Sequence, residues 1–139
     1  MRRLLIFLLV IAGIMLAIGE LRGLFLGIPG QTPVLAYKTD HAARSTRRTI
    51  NRDSLPVRLT GDVRHGSLLV SIVFERPQSF QTGAAALPPQ TVFERTYRAG
   101  ESVNLDETIS EGRGDYTVLL EFSEGTGLFT LKLPAAAEL

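Results

Sequence analysis

The chain has 139 residues, no cysteine, no tryptophan and a formal charge of +1 at pH 7. The absence of cysteine excludes disulfide bonds, a cysteine-acylated lipoprotein and thiol catalysis. The charge is divided unevenly, because residues 1–58 carry nine Lys or Arg against three Asp or Glu, whereas residues 59–139 carry six against eleven. A uniformly basic nucleic-acid-binding domain is therefore disfavoured, and no nucleic-acid partner is expected.

The first element is an apolar segment. Arg2 and Arg3 precede Leu4–Gly19, sixteen residues without a charged side chain, and such an order is typical of an export signal. A helix over this run is about 24 Å long, shorter than the roughly 30 Å hydrocarbon core, but a helix continued to Ile28 is long enough. Residues 1–28 are therefore predicted to be a transmembrane signal anchor of a single-pass membrane protein whose folded part is extracytoplasmic.

Cleavage of this segment is the alternative. Ala17-Ile18-Gly19 resembles a signal peptidase site, with small residues on both sides of Ile18. Cleavage after Gly19 would release a secreted or periplasmic domain that begins at Glu20. The segment length favours the anchor, and the two interpretations predict different localisations for the same folded domain.

Residues 29–54 are predicted to be a basic linker, because the stretch after Tyr37 is too polar to bury much apolar area. Val34–Tyr37 is expected to form at most a short strand docked on the domain. The basic side chains of the linker are a candidate contact for the membrane surface or for a polyanion. They are Lys38, Arg44, Arg47, Arg48 and Arg52.

Beyond the linker, apolar residues alternate with polar ones, which is the period of half-buried strands. Strands are predicted at 55–63, 67–74, 91–98, 101–109, 116–122 and 128–133. Glycine-containing turns at 64–66 and 123–127 are predicted to close two antiparallel hairpins. This spacing predicts an all-β fold, a small immunoglobulin-like antiparallel β-sandwich of six to seven strands over residues 55–134, with a frayed tail at 135–139.

The sequence Gly114-Asp115-Tyr116 before a strand resembles the last hairpin of immunoglobulin-like bacterial modules. The resemblance covers about twenty residues and is generic. It implies that Tyr116 closes a corner by hydrogen-bonding back to the chain.

Short motifs give few indications of chemistry. Arg113-Gly114-Asp115 matches an adhesive tripeptide, so Arg113 and Asp115 are a candidate partner-contact loop, although a solvated turn is the preferred interpretation. A cluster of carboxylates is a weaker candidate for calcium, without a recognised calcium-loop spacing. The cluster consists of Asp106, Glu107, Glu111 and Asp115.

Enzymatic activity is not expected. His41 and His65 are the only histidines, and no hydrolase, metalloprotease or phosphate-loop motif accompanies them. No catalytic residue, metal or cofactor is therefore predicted.

The favoured function is that of a non-enzymatic, membrane-anchored extracytoplasmic module of the cell envelope that binds a protein or an envelope polymer. The alternative is a secreted carbohydrate-binding or inhibitor domain, whose groove would use Phe80, Phe93 and Tyr97. Ordinary core packing is the preferred role for these three aromatics. The sequence leaves the partner and the oligomeric state open.

Overall fold

The computed structural model describes residues 1–76, 88–135 and 139. Within them, one helix precedes seven strands, and every strand pairing is antiparallel. The elements are α1 (Arg2–Arg22), β1 (Leu24–Leu26), β2 (Val34–Thr39), β3 (Ala42–Thr49), β4 (Leu55–Glu75), β5 (Gln90–Arg98), β6 (Ser102–Ile109) and β7 (Gly114–Lys132). An antiparallel, sandwich-like all-β fold is confirmed, whereas the immunoglobulin-like strand order stays a prediction.

Two long strands, β4 and β7, form the centre of the sheet. They pair from Arg58↔Lys132 to Glu75↔Asp115. Beside β7 lie β2 and β3, which pair with its two halves in succession, and beside β4 lie β6 and β5 in the same manner. The sheet therefore has four long paths. Two are the continuous strands β4 and β7, and two are interrupted, one made of β2 and β3 and the other of β6 and β5. The short strand β1 is added beside β2.

The interruptions of two paths and the register shifts of the other two, β4 and β7, lie along one line across the sheet, which we call the fold line. It consists of residues 40–41, 64–67, 99–101 and 123–126. Register shifts in the β4–β7 pairing fall between Val63 and Ser67, and such irregularities bend strands. Polar contacts follow the line, since Gly100 donates to the Val63 carbonyl at 2.8 Å and the Glu124 amide donates to Asp40 Oδ1 at 2.8 Å.

The bend at the fold line produces two layers that share one core. Layer I contains β1, β2, β6, the first half of β4 and the second half of β7; layer II contains β3, β5 and the other two halves. Inward positions in β4 are odd-numbered before the line, as at Leu59 and Val63, and even-numbered after it, as at Leu68 and Val70. The irregularity thus keeps apolar side chains on the same face, and both layers bury them in one cluster.

The two predicted hairpins at 64–66 and 123–127 are wrong. Residues 55–63 and 67–74 are halves of the single strand β4, and 116–122 and 128–133 belong almost entirely to β7. The glycine-containing segments face each other in the ladder, where His65 is opposite Thr126. Their backbone irregularity bends two paired strands together instead of reversing either chain.

The prediction of a linker over residues 29–54 is also wrong, because β2 and β3 both pair with β7. In β3 the small side chains of Ala43, Ser45 and Thr49 are buried, while Arg44 and Arg48 between them are exposed. Small residues at every second position can be covered by the opposite layer, and charged ones keep an edge strand solvated. Polarity alone therefore misled the prediction.

The chain end predicted to fray carries a buried residue. Leu139 is 2% exposed and belongs to the core cluster. Its main-chain oxygen accepts hydrogen bonds from the amides of Ile50 at 2.9 Å and Asn51 at 2.6 Å. Phe80 and most of the predicted 75–90 connection lie outside the described residues.

Candidate interaction surfaces

The predicted basic stretch does not form one surface. Since side chains of a strand alternate between faces, Arg44 and Arg48 are on the outer face of layer II, whereas Arg47 is half-buried on the opposite face of β3. The Arg47 guanidinium donates to the Pro134 carbonyl at 3.3 Å, so it holds the segment that follows β7. Lys38 is on β2 in layer I, with its ammonium 5.3 Å from the Tyr37 ring centroid.

Arg48 is engaged by the chain itself. Its Nε and Nη2 donate to the two carboxylate oxygens of Asp115 at 2.7 and 3.1 Å. This hydrogen-bonded pair raises the pKa of the Arg48 guanidinium above its ordinary value. By contrast, Arg44 and Arg52 are exposed and have no ion pair within residues 1–76, 88–135 and 139.

The Arg113-Gly114-Asp115 tripeptide is not presented on a free loop. Asp115 lies within β7 opposite Arg48, and Arg113 Nε is 3.4 Å from Asp53 Oδ1. Both charges of the predicted partner-contact loop therefore have intramolecular partners. An adhesive role would require these pairs to open.

The ends of the two layers opposite the fold line are joined by hydrogen bonds, which we call the closing cluster; it consists of Thr49, Asp53, Gly112 and Tyr116. The Tyr116 hydroxyl donates to the Gly112 carbonyl at 2.6 Å and accepts from the Glu111 amide at 3.2 Å. The Gly112 amide in turn donates to the Asp53 carbonyl at 3.0 Å. The predicted bond from Tyr116 back to the chain is thus present.

Burial shapes the chemistry of this tyrosine. The Tyr116 side chain is fully buried, and desolvation, more than any other cause, raises the pKa of its hydroxyl above the ordinary 10.0. Thr49 completes the cluster, since its hydroxyl accepts from the Gly114 amide at 3.0 Å. The hydrogen bonds of the closing cluster therefore hold the ends of the two layers together.

The acidic residues proposed for calcium are separated. Asp106 pairs with Arg58 at 3.0 Å in layer I, whereas Asp115 pairs with Arg48 in layer II. In the part of the chain that the structure describes, no three His, Asp or Glu side chains are grouped as metal ligands. The histidines lie at the fold line, where the His41 ring is 4.3 Å from the Phe25 ring.

Of the aromatics proposed for a groove, Tyr97 is buried in the core and Phe93 packs against it. The Tyr97 hydroxyl is buried without a hydrogen-bond partner among the described residues. The Arg95 guanidinium carbon lies 4.9 Å from the centroid of the Tyr97 ring. Neither ring forms an exposed stacking platform.

The most apolar exposed surface is α1. Its large apolar side chains from Leu4 to Ile18 are between 39% and 72% exposed. All eight residues of the unbroken stretch Leu4–Ile11 are exposed, so every face of the helix is apolar and uncovered. Among the described residues, no helix is both long enough and apolar enough to cross a membrane.

A second apolar surface was not predicted from the sequence. Leu26, Leu35 and Leu128 are cross-strand neighbours on β1, β2 and β7, and they are 47%, 42% and 56% exposed. In the sequence, the one indication of this surface is Leu128, an apolar residue at an outward position between inward Gly127 and Phe129. The three leucines become neighbours through the pairing of β2 with β1 and β7. Alternation within a single strand does not predict these pairings.

Similarity to known proteins was found only among solved structures. No family model and no curated protein matches the chain, and eight chains of solved structures do. Two solved structures of the Drosophila melanogaster CENP-C cupin domain are similar to it at 12% identity and a TM-score of 0.27, covering 81% of this chain and 75% and 72% of theirs. The values are too low to carry an argument about function.

Proposed function

We propose that the chain is a non-catalytic interaction module held at a membrane by α1, with its β-domain on the extracytoplasmic side. The observation that supports this most directly is the uncovered helix. Twelve large apolar side chains of α1 are exposed, and each CH₂ moved from water into hydrocarbon contributes about 0.8 kcal/mol. A bilayer covers such a helix on all sides, whereas the sheet covers none of the large apolar side chains from Leu4 to Ile18.

The anchor is tested with two charges in the middle of the helix. We expect the full-length wild type to float with vesicles and to resist carbonate extraction, and the I11R/I14R variant to be extracted. Each arginine near the centre of a membrane helix costs roughly 3 kcal/mol. Ile50→Arg is the matched control, because Ile50 is a 55% exposed apolar residue outside α1 and its substitution should leave flotation unchanged.

Extraction of the wild type itself would contradict the anchor. The intact mass of the native protein separates the remaining alternative, since a soluble chain beginning at Glu20 would establish cleavage and a diffusible module. A membrane-bound chain that retains residues 1–19 is the expected result.

The partner that the outer face of layer II supports best is anionic. Arg44 on β3 and Arg52 in the connection between β3 and β4 are exposed, and neither has an ion pair in the described residues. A basic residue close to an anionic surface contributes on the order of 1 kcal/mol. An acidic envelope polymer or an acidic protein segment meets this requirement.

This contact is probed with dextran sulfate. We expect R44Q/R52Q to bind it roughly 30-fold more weakly than wild type, because about 2 kcal/mol is lost, and to show a weaker dependence on salt. Arg58→Gln is the control, since Arg58 pairs with Asp106 in layer I. Equal weakening by the control would show that only net charge matters and would contradict a specific face.

A further inference from the structure

The apolar strip, formed by Leu26, Leu35 and Leu128, lies on the outer face of layer I. Ile28, two residues beyond β1, is a further 54% exposed apolar side chain. Tyr37 lies next to Leu24 in the same part of the sheet and is half-buried. Exposed apolar residues that adjoin one another across three strands indicate a surface that is covered in use.

The strip begins where α1 ends. A single residue, Gly23, separates the last residue of α1 from β1. Gly23 packs so closely on β2 that a Cβ there would overlap the Lys38 carbonyl oxygen, so the junction is fixed to the sheet. Leu26 is four residues beyond Arg22, and four extended residues reach at most about 14 Å. Whatever surrounds the end of α1 is therefore within reach of the strip.

The two outer faces of the sandwich differ in chemistry. Layer II presents Arg44 and the Arg48–Asp115 pair, which would be costly to desolvate. Layer I presents the apolar strip together with Tyr37 and Lys38, and residues of these two types are enriched or tolerated where hydrocarbon meets headgroups. Layer I has an ion pair of its own, Arg58–Asp106, but that pair lies on β4 and β6, on the far side of β7 from β1 and β2. The β1–β2 edge of layer I is therefore the part of the two outer faces that suits a lipid surface.

We propose that the apolar strip docks on the acyl–headgroup boundary of the same bilayer that holds α1, so that layer I faces the membrane and layer II faces away. This inference rests on the proposed anchor. The occupant is the lipid surface, since the strip is continuous along the chain with the helix end and is bordered by a cation and a phenol. Docking fixes the orientation of the domain, which a flexible tether would leave free.

The lack of tryptophan in the chain provides a direct test. Leu128→Trp introduces a single fluorophore into the strip, and Leu119→Trp introduces one on the same strand but on the outer face of layer II. Both full-length variants are reconstituted in phosphatidylcholine–phosphatidylglycerol vesicles with or without brominated acyl chains. We expect the emission of the Leu128→Trp variant to shift to the blue and to lose most of its intensity with brominated lipid, and that of the Leu119→Trp variant to be nearly unchanged.

Flotation and quenching together separate a failure of docking from a failure of the anchor. Variants that float with the vesicles while the Leu128→Trp fluorophore remains unquenched would overturn docking and leave the anchor intact, whereas failure to float would overturn the anchor itself. A blue shift without bromine quenching, accompanied by crosslinked dimers, would show that a second copy covers the strip and would also overturn the proposal. Leu35→Trp repeats the measurement at a second position of the strip and should give the same quenching.

Discussion

We expect Gly66→Ala to destabilise the folded chain by roughly 3 kcal/mol or more. Gly66 lies on the fold line with φ +67°, and a Cβ there would overlap the carbonyl oxygens of Ser123 and Glu124 in β7. The left-handed conformation costs a non-glycine residue about 1–2 kcal/mol, and forcing the paired backbones apart adds about 1–3 kcal/mol. The measurement is urea unfolding of the full-length protein in detergent micelles, compared with wild type.

Gly100→Ala is the matched control for this result. Gly100 also lies on the fold line with positive φ (+90°), but nothing lies within 4 Å of a Cβ built there. We expect it to lose only the conformational part, about 1–2 kcal/mol. Equal destabilisation by the two variants would mean that the close approach of β4 to β7 does not define the bend.

Loss of the Tyr116 side chain has a comparably large effect, because it removes both a core ring and the centre of the closing cluster. Tyr116→Ala is expected to cost about 3–5 kcal/mol, as for other large buried side chains. Tyr116→Phe keeps the ring, which lies 4.8 Å from that of Phe74. It leaves the Gly112 carbonyl and Glu111 amide without this partner, at a cost of about 1–3 kcal/mol.

Tyr97→Phe is the control for Tyr116→Phe. It shows whether the effect of Tyr116→Phe comes from lost hydrogen bonds or only from removing a buried oxygen. The Tyr97 hydroxyl is buried and has no partner among the described residues, so its removal should be neutral or stabilising. If both Tyr→Phe variants were destabilised equally, the hydrogen bonds of Tyr116 would not explain its effect. Urea unfolding at neutral pH makes the comparison.

Alkaline pH gives an independent measure of the same hydroxyl. Its folded-state pKa is raised above 10.0, so its contribution to stability is fully present below pH 10 and is lost as the pH rises through the folded-state value. The stability difference between wild type and Tyr116→Phe should therefore shrink above pH 10. A difference that stays constant across this range would contradict the assignment.

Alternation predicted much of the inward face correctly. The alternating apolar residues of the predicted strand 101–109, Val103, Leu105 and Ile109, are buried in β6. Those of the predicted strand 116–122 are buried in β7; they are Tyr116, Val118, Leu120 and Phe122. Tyr116 was predicted to bond back to the chain, and it does. These features depend on local period and on one side chain, and both can be read directly from the sequence.

Alternation of apolar residues does not predict where the chain reverses or which strands become neighbours. A glycine with positive φ is required in a tight turn and in a bent ladder alike, so Gly66 could not show whether the chain reverses. Likewise, the sequence of β3 does not look like a strand, because its buried residues are only Ala, Ser and Thr and it also contains Arg44, Arg47 and Arg48. The apolar strip depends on neighbours from three strands, which no single segment contains.

The central pairing of β4 with β7 also has a kinetic consequence. Its partners are far apart along the chain, from 40 residues for Glu75↔Asp115 to 74 for Arg58↔Lys132. Sheets built from such non-local contacts fold in milliseconds to seconds, more slowly than those built from local hairpins. Because β2, β3 and β4 all pair with β7, they lack their shared neighbour until residues 114–132 have been synthesised. The domain therefore folds late, and its earlier strands need protection from aggregation until then.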